Sequence, residues 1–320
     1  MRQNVTTEFV LRLKREVRGE VKTLEPMSKH TSWRVGGEAE LWISPADLDD
    51  LVHTMALLDE SGVPWTILGK GSNTLVSDNG ISGAVIHIES GFTWMHHTAA
   101  GSSPDTVSLV VGAGTPIAAL LRYATQHGLG GIERLVGIPG TVGGAVRMNA
   151  GTHLGEIKDI LVSVKLLRSN RTLVEIDATG LGLTYRHSAI TPGEIVVEAT
   201  LALTKTDPEQ LRMLLRDTKE RRQKSQPLTL PSGGSTFANP PGDKAWRLID
   251  AAGLRGVRIG GAQISELHPN FIVNLGDATA NDIDALIQLV QKTVEKRFGV
   301  KLRPEICRLG DWEPQETGNI

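Results

Sequence analysis

A serine held in a glycine-rich turn between two prolines is where this chain's chemistry begins. In Pro231-Ser232-Gly233-Gly234-Ser235-Thr236-Phe237-Ala238-Asn239-Pro240 the glycines permit a tight turn, the prolines restrict its flanks, and Ser235 sits just past the apex. A hydroxyl fixed in this way is aimed rather than free to sample rotamers. Its available roles are nucleophile and proton donor, and the Gly-x-Ser-x-Gly elbow of the serine hydrolases is absent. Taken alone, such a turn is ordinary loop. A Tyr185-Arg186 pair upstream and a Pro304-Glu305 pair near the C-terminus add a cation and a carboxyl. By themselves, a surface charge and an ion-pair partner would account for both.

Three glycine-rich loops supply a second kind of chemistry: Gly69-Lys70-Gly71-Ser72-Asn73, Gly112-Ala113-Gly114-Thr115, and Gly137-Ile138-Pro139-Gly140-Thr141-Val142-Gly143-Gly144-Ala145. Glycine lets successive backbone N–H groups converge on an anion and lets the chain approach a pyrophosphate closely. One such loop is as easily a hairpin turn, but three in one half of a chain point to a dinucleotide. The Rossmann fingerprint does not fit, because Thr74 occupies its third glycine position and a strand-like Leu75-Val76 follows. The Walker A pattern is also missing. The ligand is therefore held in neither of those modes.

The elements that must position these residues are those of an α+β protein. Its 320 residues exceed one small core, and 40% hydrophobic with 22% charged residues is an ordinary globular balance. A net charge of −2 argues against a dedicated nucleic-acid binder. The lone Cys307 excludes an internal disulfide framework, a Cys-rich zinc site and an iron–sulfur cluster, and fits a reducing cytosol. A polar N-terminus and the lack of an apolar run near the ~20 residues of a membrane span lead us to expect a cytoplasmic protein with no membrane insertion. The nine histidines, His96-His97 among them, lack convergent ligand spacing, so no metal is expected.

Residues 1–24 read as a charged, peripheral helix with Phe9, Leu11 and Leu13 along it. A strand over Glu38–Ile43 leads to a helix capped by Ser44 with Pro45 in its first turn, its face made by Leu48, Leu51, Val52 and Met55. Strands follow at 63–68, 107–111, 161–167, 172–176 and 195–203. A helix with Ile117, Leu120, Leu121 and Ala124 inward starts after Thr115-Pro116. Asp207-Pro208 caps a long helix with Leu211, Leu214 and Leu215 inward. Beyond it lie a helix at 246–252, strands near 263–264 and 271–274, and a helix started by Thr279 and ended by Gly299. This divides the chain into an N-terminal extension (1–24), two halves of a nucleotide-binding module (25–78 and 79–205), a substrate domain (206–303), and a C-terminal strand and tail (304–320).

The motifs, in their order, resemble the UDP-N-acetylenolpyruvoylglucosamine reductase (MurB) family. The resemblance is carried by Gly69-Lys70-Gly71-Ser72-Asn73, by Gly137 through Gly144 and on through Ala145-Val146-Arg147-Met148-Asn149-Ala150-Gly151, and by Tyr185-Arg186-His187-Ser188, Gly234 through Pro240 and Pro304-Glu305. It implies a two-part FAD-binding fold of the vanillyl-alcohol-oxidase (PCMH) type with a C-terminal α+β substrate domain. It implies noncovalent FAD on Gly69–Asn73, Gly112, Gly114, Gly137–Thr141, Gly143–Ala145, Asn149 and Gly151. UDP-N-acetylglucosamine enolpyruvate would meet Tyr185, Arg186 and Gly234, and NADPH would be the reductant; from their own places in the chain, Asn239, four residues past Ser235, and Lys224, at a helix end after Arg221 and Arg222, are further substrate-binding candidates, although the family's lysine position holds Ser225 here. Hydride would pass from flavin to the vinyl carbon, the proton would come from Ser235, and Arg186 and a protonated Glu305 would steady the charge on the substrate carboxylate. The short interval from Tyr185 to Ser235 resembles the compact form of the family, without an inserted tyrosine loop; the only other tyrosine is Tyr123. The protein is expected to be a monomer. A flavoprotein oxidase of the same fold and a nucleotide-sugar binding protein without turnover are the rival readings.

Overall fold

The computed structural model of the chain describes residues 5–98 and 105–313. The N-terminal helix is short, Thr7–Glu16, and capped by Thr6. Val17 turns extended, and Glu20–Pro26, expected as helix to residue 24, instead pairs antiparallel with Glu38–Ser44. Tertiary pairing overrides local helix propensity here. The helix is not peripheral either. Val5, Phe9, Leu13 and Val17, spaced by four, enter the largest core cluster, while Leu11 points outward at 64% exposure.

The first sheet runs in the order Glu20–Pro26, Glu38–Ser44, Ile81–His87, Trp65–Leu68, parallel after its first pair. Leu48–Glu60 is its crossover helix, capped by Asp47, whose side chain accepts from the Asp50 N–H at 3.0 Å. Ser44, the expected cap, is the last strand residue, its hydroxyl 3.0 Å from His87 Nδ1. The second sheet is antiparallel, in the order Leu173–Asp177, Leu161–Leu167, Ile195–Lys205, Thr106–Gly112, Met95–Thr98. The Ile117–Gln126 helix joins it to the third glycine loop, and Tyr123 on that helix stacks on His127 with ring centroids 4.1 Å apart.

Pro208–Ser225 forms the long helix, with Asp207 as cap and Pro208 in its first turn. Its inward stripe is Leu211, Leu215, Thr218 and Arg222; Leu214, expected inside, is 42% exposed. The third unit is a small antiparallel sheet, Arg258–Ile259, Ala262–Ile264 and Ile272–Asn274, packed by the helices Ala245–Ala251 and Ala280–Phe298. Thr279 and Asp282 close a capping box on the last helix, and Gly299 ends it.

The third unit's core is completed by Trp33, Val35 and Leu75 from the first. Trp33 is fully buried, its indole N–H donates to the Ile272 carbonyl at 2.8 Å, and Asn274 donates back to the Trp33 carbonyl at 2.8 Å. A truncation of this tryptophan removes about 3–5 kcal/mol. The C-terminal strand, Cys307–Leu309, runs parallel to Thr74–Val76, directly after the first glycine loop. These two seams place the serine turn beside the glycine loops.

Candidate active site

Glu305 lies where the seams cross. The segment 236–238 runs antiparallel to 303–305: the Glu305 N–H donates to the Thr236 carbonyl at 2.9 Å and the Ala238 N–H to the Arg303 carbonyl at 2.9 Å. On its other side the Asn73 carboxamide donates to the Glu305 carbonyl at 2.8 Å, and the Cys307 N–H donates to the Asn73 carbonyl at 2.8 Å. This register sets Ser235, the residue before Thr236, alongside the Glu305 segment. Ahead of it Gly233 packs flat on the Trp33 ring, where a Cβ would collide, and Gly234 turns at φ +80° with open space where a Cβ would stand. The Ser235 hydroxyl makes no hydrogen bond among the described residues, so it is free for a ligand.

Arg186 arrives from the opposite side. Its backbone holds φ +56°, a conformation that costs a non-glycine residue about 1–3 kcal/mol. The turn is closed by reciprocal N–H to carbonyl bonds between Thr184 and His187, both 3.1 Å. Its guanidinium Nε donates to Glu305 Oε2 at 3.3 Å and Nη2 donates to the Gly151 carbonyl at 3.1 Å. Two of the five N–H groups are thus hydrogen-bonded; Nη1 lies 3.8 Å from Glu156 Oε1, too long for a hydrogen bond, so the edge formed by Nη1 and the second Nη2 hydrogen can still meet a substrate carboxylate. Burial pushes the Glu305 carboxyl above the ordinary range, and the charge of Arg186 opposes that, followed by its hydrogen bond and by weaker effects of Arg303 and Tyr185. The net shift is upward, so Glu305 holds its proton to higher pH than an ordinary carboxyl. The Tyr185 hydroxyl is 3.5 Å from Glu305 Oε1 and 3.5 Å from the Asn239 Nδ2. Beyond them opens a cleft of about 550 Å³ between Tyr185, Asn239, Asp243, Lys244 and Arg247.

The three glycine loops converge. Ser72 Oγ donates to the Pro139 carbonyl at 3.2 Å, joining the first loop to the third; the Gly143 N–H donates to the Ala113 carbonyl at 2.8 Å, joining the third to the second. Several glycines are explained by this packing alone. A Cβ on Gly71 would strike the His30 carbonyl, on Gly112 the Phe92 carbonyl, on Gly114 the Glu89 carbonyl, on Gly151 the Gly155 carbonyl, and on Gly69 the Thr141 hydroxyl. Gly144 is different. It is exposed, and its Cβ position meets nothing nearer than Thr141 Oγ1 at 3.6 Å, leaving backbone open to a ligand. Lys70 borders a cleft of about 250 Å³ with Lys29, His30, His87 and Glu89.

Arg222 gives the test of whether a flavin nucleotide fits here. Its side chain lies against Gly137, so closely that a Cβ there would come within 2.6 Å of Nε. That Nε is buried without a hydrogen-bond partner, and burial lowers the guanidinium's pKa with no carboxylate opposing it. A largely buried guanidinium with an unsatisfied Nε and no carboxylate beside it is stabilised by an anion. The diphosphate or an anionic ring oxygen of FAD meets that requirement beside the glycine loops, so the residues present fit the cofactor.

Two residues of the sequence reading have surroundings that the sequence did not suggest. Lys224, expected at the nucleotide diphosphate, is exposed in the last turn of the 208–225 helix, with no partner among the described residues. The inward cation of that turn is Arg222, and the spacing 211, 215, 218, 222 was the signal for it. Asn149, expected to hold FAD, is fully buried, and its side chain is engaged within the protein. Nδ2 donates to Glu156 Oε2 and to the Thr184 carbonyl, both at 2.8 Å, and Oδ1 accepts from the Lys158 N–H at 3.3 Å. It therefore braces the Arg186 turn.

Residues 39–177 match the family described as FAD binding domain, which makes the protein a flavoprotein of α+β fold. Residues 226–309 match the family described as UDP-N-acetylenolpyruvoylglucosamine reductase, C-terminal domain. Reductases of that name from Anaeromyxobacter dehalogenans (strain 2CP-C) and Syntrophotalea carbinolica are 44% and 46% identical, over 96% and 89% of this chain and 91% and 93% of theirs. The crystal structure of UDP-N-acetylenolpyruvylglucosamine reductase (MurB) from Thermus caldophilus superposes with a TM-score of 0.77 at 35% identity, covering 91% of this chain and 99% of that one. The chain belongs to the UDP-N-acetylenolpyruvoylglucosamine reductase family. It is an FAD- and NADPH-dependent oxidoreductase, and the family supports the reductase reading over the oxidase.

Proposed function

We propose that this enzyme reduces UDP-N-acetylglucosamine enolpyruvate to UDP-N-acetylmuramate, the peptidoglycan precursor, with Arg186, Glu305 and Ser235 carrying the substrate half-reaction. Bound FAD supplies the hydride, received from NADPH, that the vinyl carbon accepts. Hydride addition leaves negative charge delocalised into the substrate carboxylate. The free edge of the Arg186 guanidinium binds that carboxylate, and Glu305, whose pKa burial raises, donates a second hydrogen bond to it when protonated. Ser235 gives its hydroxyl proton to the carbon bearing the carboxylate and is reprotonated from solvent. Tyr185 and Asn239 flank the cleft that would take the nucleotide sugar. Gly69–Asn73, Gly137–Thr141, Gly143–Ala145 and Arg222 would hold FAD.

The observation that carries this reading is the hydrogen-bonded Arg186–Glu305 pair, with Glu305 clamped between Asn73 and the Ser235 turn. The test is the visible spectrum of the purified protein. A flavin spectrum that bleaches with NADPH and returns on adding the enolpyruvyl substrate without oxygen supports it; a flavin that NADPH reduces but the substrate does not reoxidise refutes it. Among the described residues no helix is long and apolar enough to cross a membrane. We further propose a cytoplasmic monomer, for which light scattering and fractionation are the checks.

A further inference from the structure

Arg186 stands between two carboxylates, and only one of them has a role so far. Its Nη1 is 3.8 Å from Glu156 Oε1, while its Nε binds Glu305. Glu156 is 17% exposed and firmly held: its Oε2 accepts from Asn149 Nδ2 at 2.8 Å, and its backbone N–H donates to Asp159 at 2.8 Å. Asn149 itself adopts φ +42° and also holds the Thr184 carbonyl, so one buried carboxamide fixes both Glu156 and the turn that carries Arg186. We propose that Glu156 is a positioning residue for the reaction: it fixes the Arg186 guanidinium and takes up its charge, so that Arg186 and Glu305 act as two separate groups and not as a closed ion pair.

The physical reason is charge balance. A guanidinium facing a single buried carboxylate draws it into a bidentate ion pair; Glu305 would then ionise and Arg186 would have no free edge for substrate. A second carboxylate behind Arg186 neutralises the cation and leaves Glu305 its proton. The charged and titratable groups facing this pair are Tyr185 from the Arg186 turn, Arg303 from Glu305's own segment, and Glu156 with Lys158 from the hairpin behind. Asn73 contributes a neutral carboxamide that holds the Glu305 backbone carbonyl at 2.8 Å. Lys158 Nζ lies 2.8 Å from Glu156 and competes for it, but that lysine is 41% exposed and screened by salt.

This rests on the reading of Glu305 as the protonated group, and the experiment separates the two. The rate of flavin reoxidation by substrate is followed against pH in the holoenzyme. Loss of the alkaline limb in Glu305→Gln identifies that limb with Glu305; its persistence there overturns the Glu305 assignment and, with it, this proposal. Glu156→Gln keeps an acceptor for Asn149 and removes only charge. Its limb should move to lower pH by roughly one unit, about tenfold slower on the alkaline side, with flavin content unchanged. Lys158→Met, a surface change that spares folding, should move the limb the other way by a smaller amount at low ionic strength. An unmoved limb in Glu156→Gln, or a loss uniform across pH, would show that Glu156 only braces the hairpin. If Glu156→Gln fails to fold, a Lys158→Met limb that stays in place or moves to lower pH overturns the proposal.

Discussion

Replacing Arg222 by methionine should stabilise the flavin-free protein while weakening its hold on FAD. The guanidinium lies against Gly137 with its Nε buried and unpaired, so the apoprotein carries its desolvation cost without compensation. Methionine fills similar volume and has no donor to satisfy. Removing one unsatisfied buried polar group is worth about 1–3 kcal/mol, which for a chain of this size is roughly 2 °C of melting temperature per kcal/mol. In the holoprotein the sign reverses. A charge-assisted hydrogen bond to FAD contributes about 1.5–3 kcal/mol, so the dissociation constant should rise roughly 10- to 150-fold. Thermal melts of the stripped protein and titration of FAD fluorescence read the two effects separately. An apoprotein that melts lower than wild type, with FAD bound at normal strength, would make Arg222 a structural residue and refute the reasoning. A variant Arg222→Lys should recover only part of the affinity, since an ammonium on a shorter stem presents no fork.

Ser235→Ala should leave FAD content and flavin reduction by NADPH nearly intact and slow reoxidation by substrate about 10²–10⁴-fold in stopped flow; a defect confined to the NADPH step would remove Ser235 as donor. Arg186→Lys should not restore turnover, because a point charge cannot both hold Gly151 and Glu305 and present a free edge; near-normal turnover with normal flavin content would contradict that. Gly144→Val should lower FAD affinity while leaving the apoprotein's melting unchanged, whereas Gly71→Val should unfold the first loop against His30; equal melting losses in both would disprove an open ligand face at Gly144. Glu305 has a raised folded-state pKa, so the stability it contributes is full at acid pH and is lost as pH rises through that value. Glu305→Gln should accordingly be stabilised relative to wild type on the alkaline side only, as denaturant midpoints across pH will report.

Elements whose signals are local were legible in the sequence. Asp207-Pro208, Thr279 and Gly299 each bracket a helix because capping chemistry is written within four residues of the end. The strand Glu20–Pro26 was not legible, since its reason is a partner strand at 38–44 and the alternation of its own side chains is weak. Asp47 capped the next helix in place of Ser44 for a related reason. Strand pairing holds residues up to Ser44 extended, and the buried Asp50 carboxylate anchors the loop by accepting from the backbone of Arg18, Gly19 and Ala46.

The site divides in the same way. Arg186, Ser235 and Glu305 are far apart in the chain, and no spacing rule links them; family resemblance named them, and the geometry accounts for two of them touching. What resemblance did not supply was the work of residues behind the reacting atoms. Asn149 sits inside a glycine-rich run that reads as a nucleotide loop, yet its three side-chain hydrogen bonds all serve the protein. Arg222 sits among charged residues in the last turn of a polar helix, where a cation is expected to be solvated and to favour the helix dipole. Only the position of Arg222 on the stripe that begins at Leu211 distinguishes it from Lys224, two residues on. A charge on a buried stripe conflicts with the rule that stripes are apolar. The conflict is resolved if the missing partner is a ligand, which is why this residue, and not one of the many satisfied glycines, is the sharper probe of cofactor binding.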